Sequence, residues 1–219
     1  MHKKAFTMIE LVLVIVVIGI LAALAIPRME RDLRQEAADN ILSAIRYTQH
    51  LALMDDKHKF NKPKWERRYW RLYFGTCEGK AFYAVGSDDN MDGSTNARVD
   101  NTEAALDPAN GKLMWAHDAG ACSGSLPSNR ISPSVLIGKR YGITGVTATG
   151  GCAGAKHIAF DHLGRPHHGT EFSNAETPVH AGYVSSRCVF TFTLEEGDDI
   201  ILNIEPETGY AYIIGQKNI

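Results

Sequence analysis

The stretch KKAFTMIELVLVIVVIGILAALAIP, residues 3–27, decides how the rest of the chain is interpreted. From Phe6 to Ile26 it contains no charged residue except Glu10. As an α-helix, this segment would be about 31 Å long, close to the ~30 Å hydrocarbon core of a bilayer. Both flanks are basic, and the short positive N-terminal side favours a cytoplasmic N-terminus with an exported remainder. The segment therefore predicts a single transmembrane helix.

Two other interpretations fit the apolar run but not its acid. A secretory signal peptide also has a basic start and an apolar core, and Ala22, Ala23 and Ala25 offer small residues for cleavage. A plain membrane anchor requires only the apolar run. Neither explains Glu10, because an acid inside a membrane costs roughly 2–3 kcal/mol and indicates a partner.

The junction KKA/FTMIE resembles the class III leader and first helix of type IV pilins and pseudopilins. The resemblance implies that a prepilin peptidase cleaves between Ala5 and Phe6, and that the new Phe6 amine is N-methylated. Glu10 would then pair with the N-terminal amine of a neighbouring subunit, which offsets the cost of both charges in lipid. The alternative is that Glu10 reaches the nearby headgroups. Ala5 stands where the family usually has glycine.

These features divide the chain into four parts. We expect a leader peptide at residues 1–5, a transmembrane half-helix at 6–27, an amphipathic half-helix at 28–58 and a β-rich periplasmic domain at 59–219. The amphipathic half is expected to continue the apolar half as one helix.

This helix is expected to run from about Phe6 to Met54 and to bend at Pro27. Beyond Pro27, one face of it repeats at spacings of three and four residues and should be buried. The residues on that face are Leu33, Ala37, Ile41, Ala44, Thr48 and Leu51.

Strands are expected after residue 61. RRYWRLYFG (67–75) and KAFYAVGS (80–87) are rich in β-forming residues and should pair as a hairpin. Further strands are expected at KHIAFD, RCVFTFTLE, DIILNIEP and GYAYIIG, which are residues 156–161, 187–195, 199–206 and 209–215. The expected fold is α+β, with the long helix packed on an antiparallel β-sheet, as in pilins.

The segment WERRYWRLYF is both basic and aromatic. This composition could stack on single-stranded nucleic acid. We favour a strand with one buried face and an arginine-rich face in solvent. The net charge of −2 also disfavours a strongly nucleic-acid-binding surface.

Two C-terminal segments sharpen the resemblance. FDHLGRP (160–166) and IEPETGYAYI (204–213) are similar to segments of the GspH/FimT group of pilin-like proteins. That group contains minor pseudopilins of type II secretion and minor type IV pilins, and the shared motifs do not separate the two systems. The middle of the chain, from about Asp88 to Gly151, is not covered by the resemblance.

The four cysteines, Cys77, Cys122, Cys152 and Cys188, all lie in the part expected to be exported. An even number in an oxidising compartment predicts two disulfides, for which three pairings are open. We favour Cys77–Cys122 together with Cys152–Cys188.

The segment SDDNMDGSTN (87–96) contains the first half of a calcium loop. Asp88, Asn90 and Asp92 place oxygen ligands at alternate positions, and Gly93 suits the sharp turn. Val99 stands where a complete loop has its bidentate glutamate. The segment therefore predicts either a binding site for Ca²⁺ as a cofactor or a polar surface loop.

Five histidines crowd into 24 residues: His157, His162, His167, His168 and His180. Their spacing matches no zinc motif, so we favour a surface loop over a metal site. No G-x-S-x-G elbow or similar catalytic signature is present, so we expect no enzyme.

Three functional classes follow. The first is a minor pilin or pseudopilin that helps to start assembly, near the tip, of a type II secretion pseudopilus or a type IV pilus. The second is a filament-borne module that binds DNA, a surface or secreted cargo. The third is a membrane-anchored periplasmic enzyme, for which the sequence contains no catalytic signature. The expected partners are the prepilin peptidase, other pilins or pseudopilins and the bacterial inner membrane.

Overall fold

The computed structural model describes residues 7–55, 57, 68–89, 99–117, 122–168 and 182–215, with the backbone alone for residues 22–32. Its elements in chain order are α1 (Met8–Met54), β1 (Trp70–Cys77), β2 (Lys80–Gly86), α2 (Ile137–Tyr141), β3 (Ile143–Gly150), β4 (His157–Phe160), β5 (Pro166–His167), β6 (Cys188–Leu194), β7 (Ile200–Ile204) and β8 (Ala211–Ile213). Two short 3₁₀ helices, Ser128–Arg130 and Pro133–Val135, precede α2. The expected α+β class is confirmed.

Helix α1 runs through Pro27 without interruption and ends at Met54, as the sequence predicts. Its C-terminal half buries the expected face, on which Ala37, Ile41 and Thr48 are fully buried. Leu33 is an exception, because 45% of it is exposed. Among the described side chains of α1, those that are buried lie beyond this residue.

The strands form two antiparallel sheets of four strands each, where a single sheet is expected from the sequence. The strand orders are β2-β1-β4-β5 and β3-β6-β7-β8. Phe74 on β1 links the two sheets, since its ring centroid lies 5.2 Å from those of both Phe190 and Phe192 on β6. The core lies between the sheets and the buried face of α1.

The predicted β1–β2 hairpin is confirmed, with Cys77 paired to Lys80 at its closed end. Glu78 and Gly79 form the two-residue turn, and both have positive φ, 50° and 72°. Two successive positive φ values are typical of the tight turns that match the right-handed twist of a hairpin. The later strands β4, β6, β7 and β8 also fall where the sequence predicts them.

Helix α2 and the strands β3 and β5 are not predicted from the sequence. Strand β3 reads ITGVTATG, in which glycine and alanine weaken the β signal. It forms because it pairs with β6 over its whole length, from Ile143 opposite Leu194 to Gly150 opposite Cys188. Tertiary pairing thus outweighs a weak local preference.

The prediction of a solvent-facing arginine face on β1 is wrong. Arg71 is fully buried, and only 4% of Arg68 is exposed. Strand β1 is an interior strand, and Arg71 lies opposite Gly86 on β2 and Ala159 on β4. Arg71 is therefore flanked by a paired strand on each side and does not reach solvent.

The polar region that follows β2 extends the first sheet beyond its edge. Val85 on β2 donates its N–H to the carbonyl of Met114 at 2.9 Å, and its own carbonyl accepts from the Ala105 N–H at 2.8 Å. Gly86 has no room for a side chain, because a Cβ there would lie 2.3 Å from Val99. Residues 99–117 are therefore held against β2 as an ordered insertion.

Candidate functional site

Glu10 closes the first turn of α1. Its carboxylate accepts hydrogen bonds from the backbone N–H and the hydroxyl of Thr7, both at 2.9 Å. In return the Thr7 hydroxyl accepts from the Glu10 N–H at 3.3 Å, which completes a capping box. The carboxylate thus lies at the helix end that favours negative charge. Ala5 and Phe6, the predicted cleavage and methylation residues, lie outside the described residues.

Beyond this cap, α1 exposes a long apolar surface. The large apolar side chains from Met8 to Leu21 are between 45% and 85% exposed. Soluble monomers rarely expose a continuous apolar surface of this extent, so the segment requires an apolar environment or partner. Within the part of the chain that the structure describes, no helix combines the length and hydropathy of a membrane span.

The FDHLGRP segment folds around a buried carboxylate. Asp161 accepts hydrogen bonds from the N–H groups of Leu163 and Arg165, both at 2.9 Å, and from the Arg165 Nε at 2.7 Å. His167 Nε2 lies 3.2 Å from the same carboxylate. Burial would raise the pKa of Asp161, but the hydrogen bonds from His167, Arg165 and Leu163 lower it below its usual range. The spacing of this segment is thus explained by its turn.

Gln49 on α1 joins this turn to the PETG turn between β7 and β8. Its side-chain Nε2 donates to the carbonyls of Gly164 and Thr208, each at 2.8 Å. Gly209, at φ 64°, lies so close that a Cβ would be 2.5 Å from the Gly164 oxygen. Gln49 is not predicted from the sequence. The feature of the sequence that could have identified it is a polar residue beside the apolar face of a helix.

The family model for the prokaryotic N-terminal methylation motif matches residues 1–26. This marks a type IV pilin-like prepilin. The motif implies processing by a prepilin peptidase, anchoring in a membrane and assembly with other pilins. Searches of curated proteins and of solved structures find no match to the chain.

Two disulfides stabilise the globular part of the prepilin, as predicted. Cys77–Cys122 joins the end of β1 to the described segment that follows the insertion, with Cα atoms 5.7 Å apart. Cys152–Cys188 joins the turn after β3 to the start of β6, with Cα atoms 5.1 Å apart. Bridges that close loops of this length typically stabilise a domain by about 2–4 kcal/mol each.

Of the three predicted calcium ligands, the structure describes only Asp88. Asp88 is 5% exposed, whereas Asn90 and Asp92 lie outside the described residues. Calcium binding at this loop therefore stays a prediction.

The neighbouring Asp89 is held by two cations. Lys57 Nζ lies 3.1 Å from its carboxylate, and the Arg68 guanidinium forms a second ion pair with it. Burial would raise the pKa of Asp89, but these ion pairs lower it.

The histidines expected in a surface loop are placed differently by the structure. His157 is 6% exposed on β4, and His167 is 3% exposed on β5, so the surface-loop prediction is wrong for both. His157 is buried because β4 is an interior strand of the first sheet. His167 is buried although β5 is the edge strand, because Tyr183 pairs with it there. His180 lies outside the described residues. Among the residues described, no group of three or more histidine, cysteine or acidic side chains could hold a metal ion.

Proposed function

We propose that this prepilin is a minor pilin or pseudopilin of the GspH/FimT type, which takes part in starting filament assembly near the tip. The filament would be a type II secretion pseudopilus or a type IV pilus. Residues 6–27 would anchor the chain once in the bacterial inner membrane, with residues 59–219 in the periplasm. The role is assembly and not catalysis.

The observation that carries this proposal is the position of Glu10 in the first turn of an exposed apolar helix. Its carboxylate lies beside Thr7, and Thr7 directly follows the predicted new N-terminus at Phe6. In an assembled filament, the amine of a neighbouring subunit could replace Thr7 as the partner of this carboxylate. Pairing the two charges removes the cost of either charge alone in lipid and sets the axial offset of the subunits.

The GspH/FimT assignment is supported by the way its two C-terminal segments meet. FDHLGRP supplies the Gly164 carbonyl, and the PETG turn supplies the Thr208 carbonyl, to the same Gln49 amide. The two segments that resemble this group are thus parts of one structural unit that fixes α1 to the domain.

The minor role is supported by the insertion. It adds ordered backbone beyond the β2 edge of the first sheet. A bulk subunit would have to accommodate this addition against its neighbours in every copy. A rare subunit near one end meets fewer such constraints.

Glu10→Ala tests the proposal in cells that produce the other subunits and the peptidase. The amount of this chain in sheared filaments, measured by quantitative mass spectrometry, should fall about tenfold or more, since one partner of an ion pair in lipid is removed. The matched control is Glu196→Ala, which removes an exposed acid from the loop between β6 and β7. The melting temperature of both variants should equal that of the parent.

Two results would contradict the proposal. If Glu10→Ala enters filaments as well as Glu196→Ala, the carboxylate has no part in assembly. If the unmodified chain is the most abundant subunit of the filaments, the minor role is wrong, although its pilin-like nature is unaffected.

A further inference from the structure

A cleft of about 520 Å³ opens on the insertion that follows β2. Its walls are the turn at residues 100–102, the segment at residues 115–117 and the turn at residues 124–125. The volume lies in the range of small-molecule sites, about 300–1,000 Å³. Neither the helix cap at Glu10 nor the contacts of Gln49 involve these residues.

The indole ring of Trp115 holds the walls of the cleft in place. Trp115 is 6% exposed, and its Nε1–H donates to the Val99 carbonyl at 3.0 Å. Gly124, at φ 52°, approaches this ring so closely that a Cβ would lie 3.1 Å from it. Only a residue without a side chain suits both the close approach and the left-handed backbone. The turn at residues 124–125 therefore packs directly on Trp115.

A disulfide fastens one of these walls to the first sheet. The His117 N–H donates to the Cys122 carbonyl at 2.9 Å, and Cys122 is bonded to Cys77 at the end of β1. The opposite wall is tied back as well, because the Asp100 carbonyl accepts from the Glu103 N–H at 3.1 Å. A site that is held in shape before binding loses less entropy when its ligand binds.

The cleft lining combines aromatic rings with short polar groups. The rings of Trp115 and His117 have centroids 5.7 Å apart. Around them, Asp100 supplies a carboxylate, Asn101 an amide and Ser125 a hydroxyl. These groups offer several donors and acceptors within a small space, which suits a ligand with many neutral hydroxyl groups.

The charge of the described lining disfavours anionic ligands. Among its described residues there is no lysine or arginine, and Asp100 contributes a negative charge. Phosphate and sulfate groups are recognised chiefly by such cations, so a nucleic-acid backbone or a sulfated glycan is disfavoured.

We propose that this cleft binds a neutral saccharide of one or two sugar units, with the Asp100 carboxylate accepting hydrogen bonds from its hydroxyls. The inference goes beyond the assembly role and does not depend on it. It gives the insertion a function that the assembly role does not need.

The test uses the full-length protein in a detergent without a sugar headgroup. Chitobiose, lactose and maltose are the neutral probes, and a heparin disaccharide and a short single-stranded DNA are the anionic ones. Titration calorimetry should show saturable binding of at least one neutral disaccharide and of neither anion. Asp100→Asn should weaken that binding about tenfold or more, because a hydrogen bond to a charged acceptor is lost.

The matched control is Asp198→Asn, which makes the same chemical change in the exposed loop between β6 and β7 and should leave the binding unchanged. Asn101→Ala provides a second change in the cleft, and both cleft variants should keep the parent melting temperature. The proposal is overturned if none of the three disaccharides binds, if only the anions bind, or if Asp100→Asn binds as Asp198→Asn does. Incorporation into filaments should be normal in Asp100→Asn, so this test and that of the assembly role can fail separately.

Discussion

Gln49 and Gly164 are joined by a hydrogen bond that spans 115 positions of sequence, from the Gln49 Nε2 to the Gly164 carbonyl at 2.8 Å. The same amide nitrogen reaches the Thr208 carbonyl, also at 2.8 Å. A single side chain on α1 therefore satisfies two turns that precede and follow the last long strands. This amide thus holds the helix against the domain, together with the buried apolar face of α1.

Replacing Gln49 should loosen that attachment. Gln49→Ala leaves the part-buried Gly164 carbonyl and the exposed Thr208 carbonyl without this donor and should lower the free energy of unfolding by about 1–2 kcal/mol. Gln49→Glu has nearly the same shape but places a carboxylate against two carbonyl oxygens, so it should destabilise at least as much. Denaturant unfolding of the full chain in micelles measures both. The control is His50→Ala on the exposed face, and equal midpoints for all three variants would contradict the interpretation.

Asp161 should make the domain acid-sensitive at low pH. Its pKa is lowered in the folded chain, so its stabilising contribution is present above the unfolded value of about 3.9 and is lost as the pH falls through the lower folded value. Asp161→Asn should cost about 1.5–3 kcal/mol at neutral pH, since it removes charged hydrogen bonds. Between pH 4 and pH 2, its melting temperature should fall less steeply than that of the parent. A parallel decline in both proteins would show that the carboxylate is not responsible.

His157 should make the free energy of unfolding depend on pH over a higher pH range than Asp161 does. Burial, together with the positive charges of Arg71 and His168, lowers its pKa from about 6.5 to about 3. Below pH 6.5 the unfolded chain takes up a proton that the folded chain does not, so the free energy of unfolding falls as the pH falls towards 3. The slope from this residue reaches at most about 1.4 kcal/mol per pH unit.

His157→Gln should flatten this slope between pH 6 and pH 4. The measurement is the free energy of unfolding at several pH values, and His50→Gln is the control because it changes an exposed histidine on α1. If both variants keep the parent slope, protons are not taken up at His157 on unfolding.

Some parts of the fold can be predicted from the sequence, and others cannot. The hairpin, the late strands, the end of α1 and the two disulfides follow from local patterns or from the cysteine count. The burial of Arg71 does not, because it depends on the two strands, β2 and β4, that flank β1 in the sheet. Strand β3 is likewise decided by its pairing with β6 and not by its own residues.

The candidate sites divide in the same way. Glu10 is predicted as a site residue from the FTMIE pattern, because the residues of that pattern are adjacent in sequence. The attachment at Gln49 and the cleft beside Trp115 bring together residues that are distant in sequence. For His157 and His167, the sequence shows five clustered histidines but not the sheet that buries two of them.

Cleavage of the leader is expected between Ala5 and Phe6, because the methylation motif at residues 1–26 begins with the KKA/FTMIE junction. Cells that contain the prepilin peptidase should yield a membrane-extracted chain whose N-terminal residue is Phe6, carrying one added methyl group.

Ala5 stands where the resembling family usually has glycine, and glycine presents no side chain to the peptidase. Ala5→Gly should therefore speed the conversion from precursor to mature chain in a pulse-chase experiment. Thr7→Ser is the matched control, since it keeps the hydroxyl that caps α1 and lies on the other side of the junction. A chain that still begins with Met1 in the presence of the peptidase would contradict the cleavage site, whereas equal rates for Ala5→Gly and the parent would show that Ala5 does not limit processing.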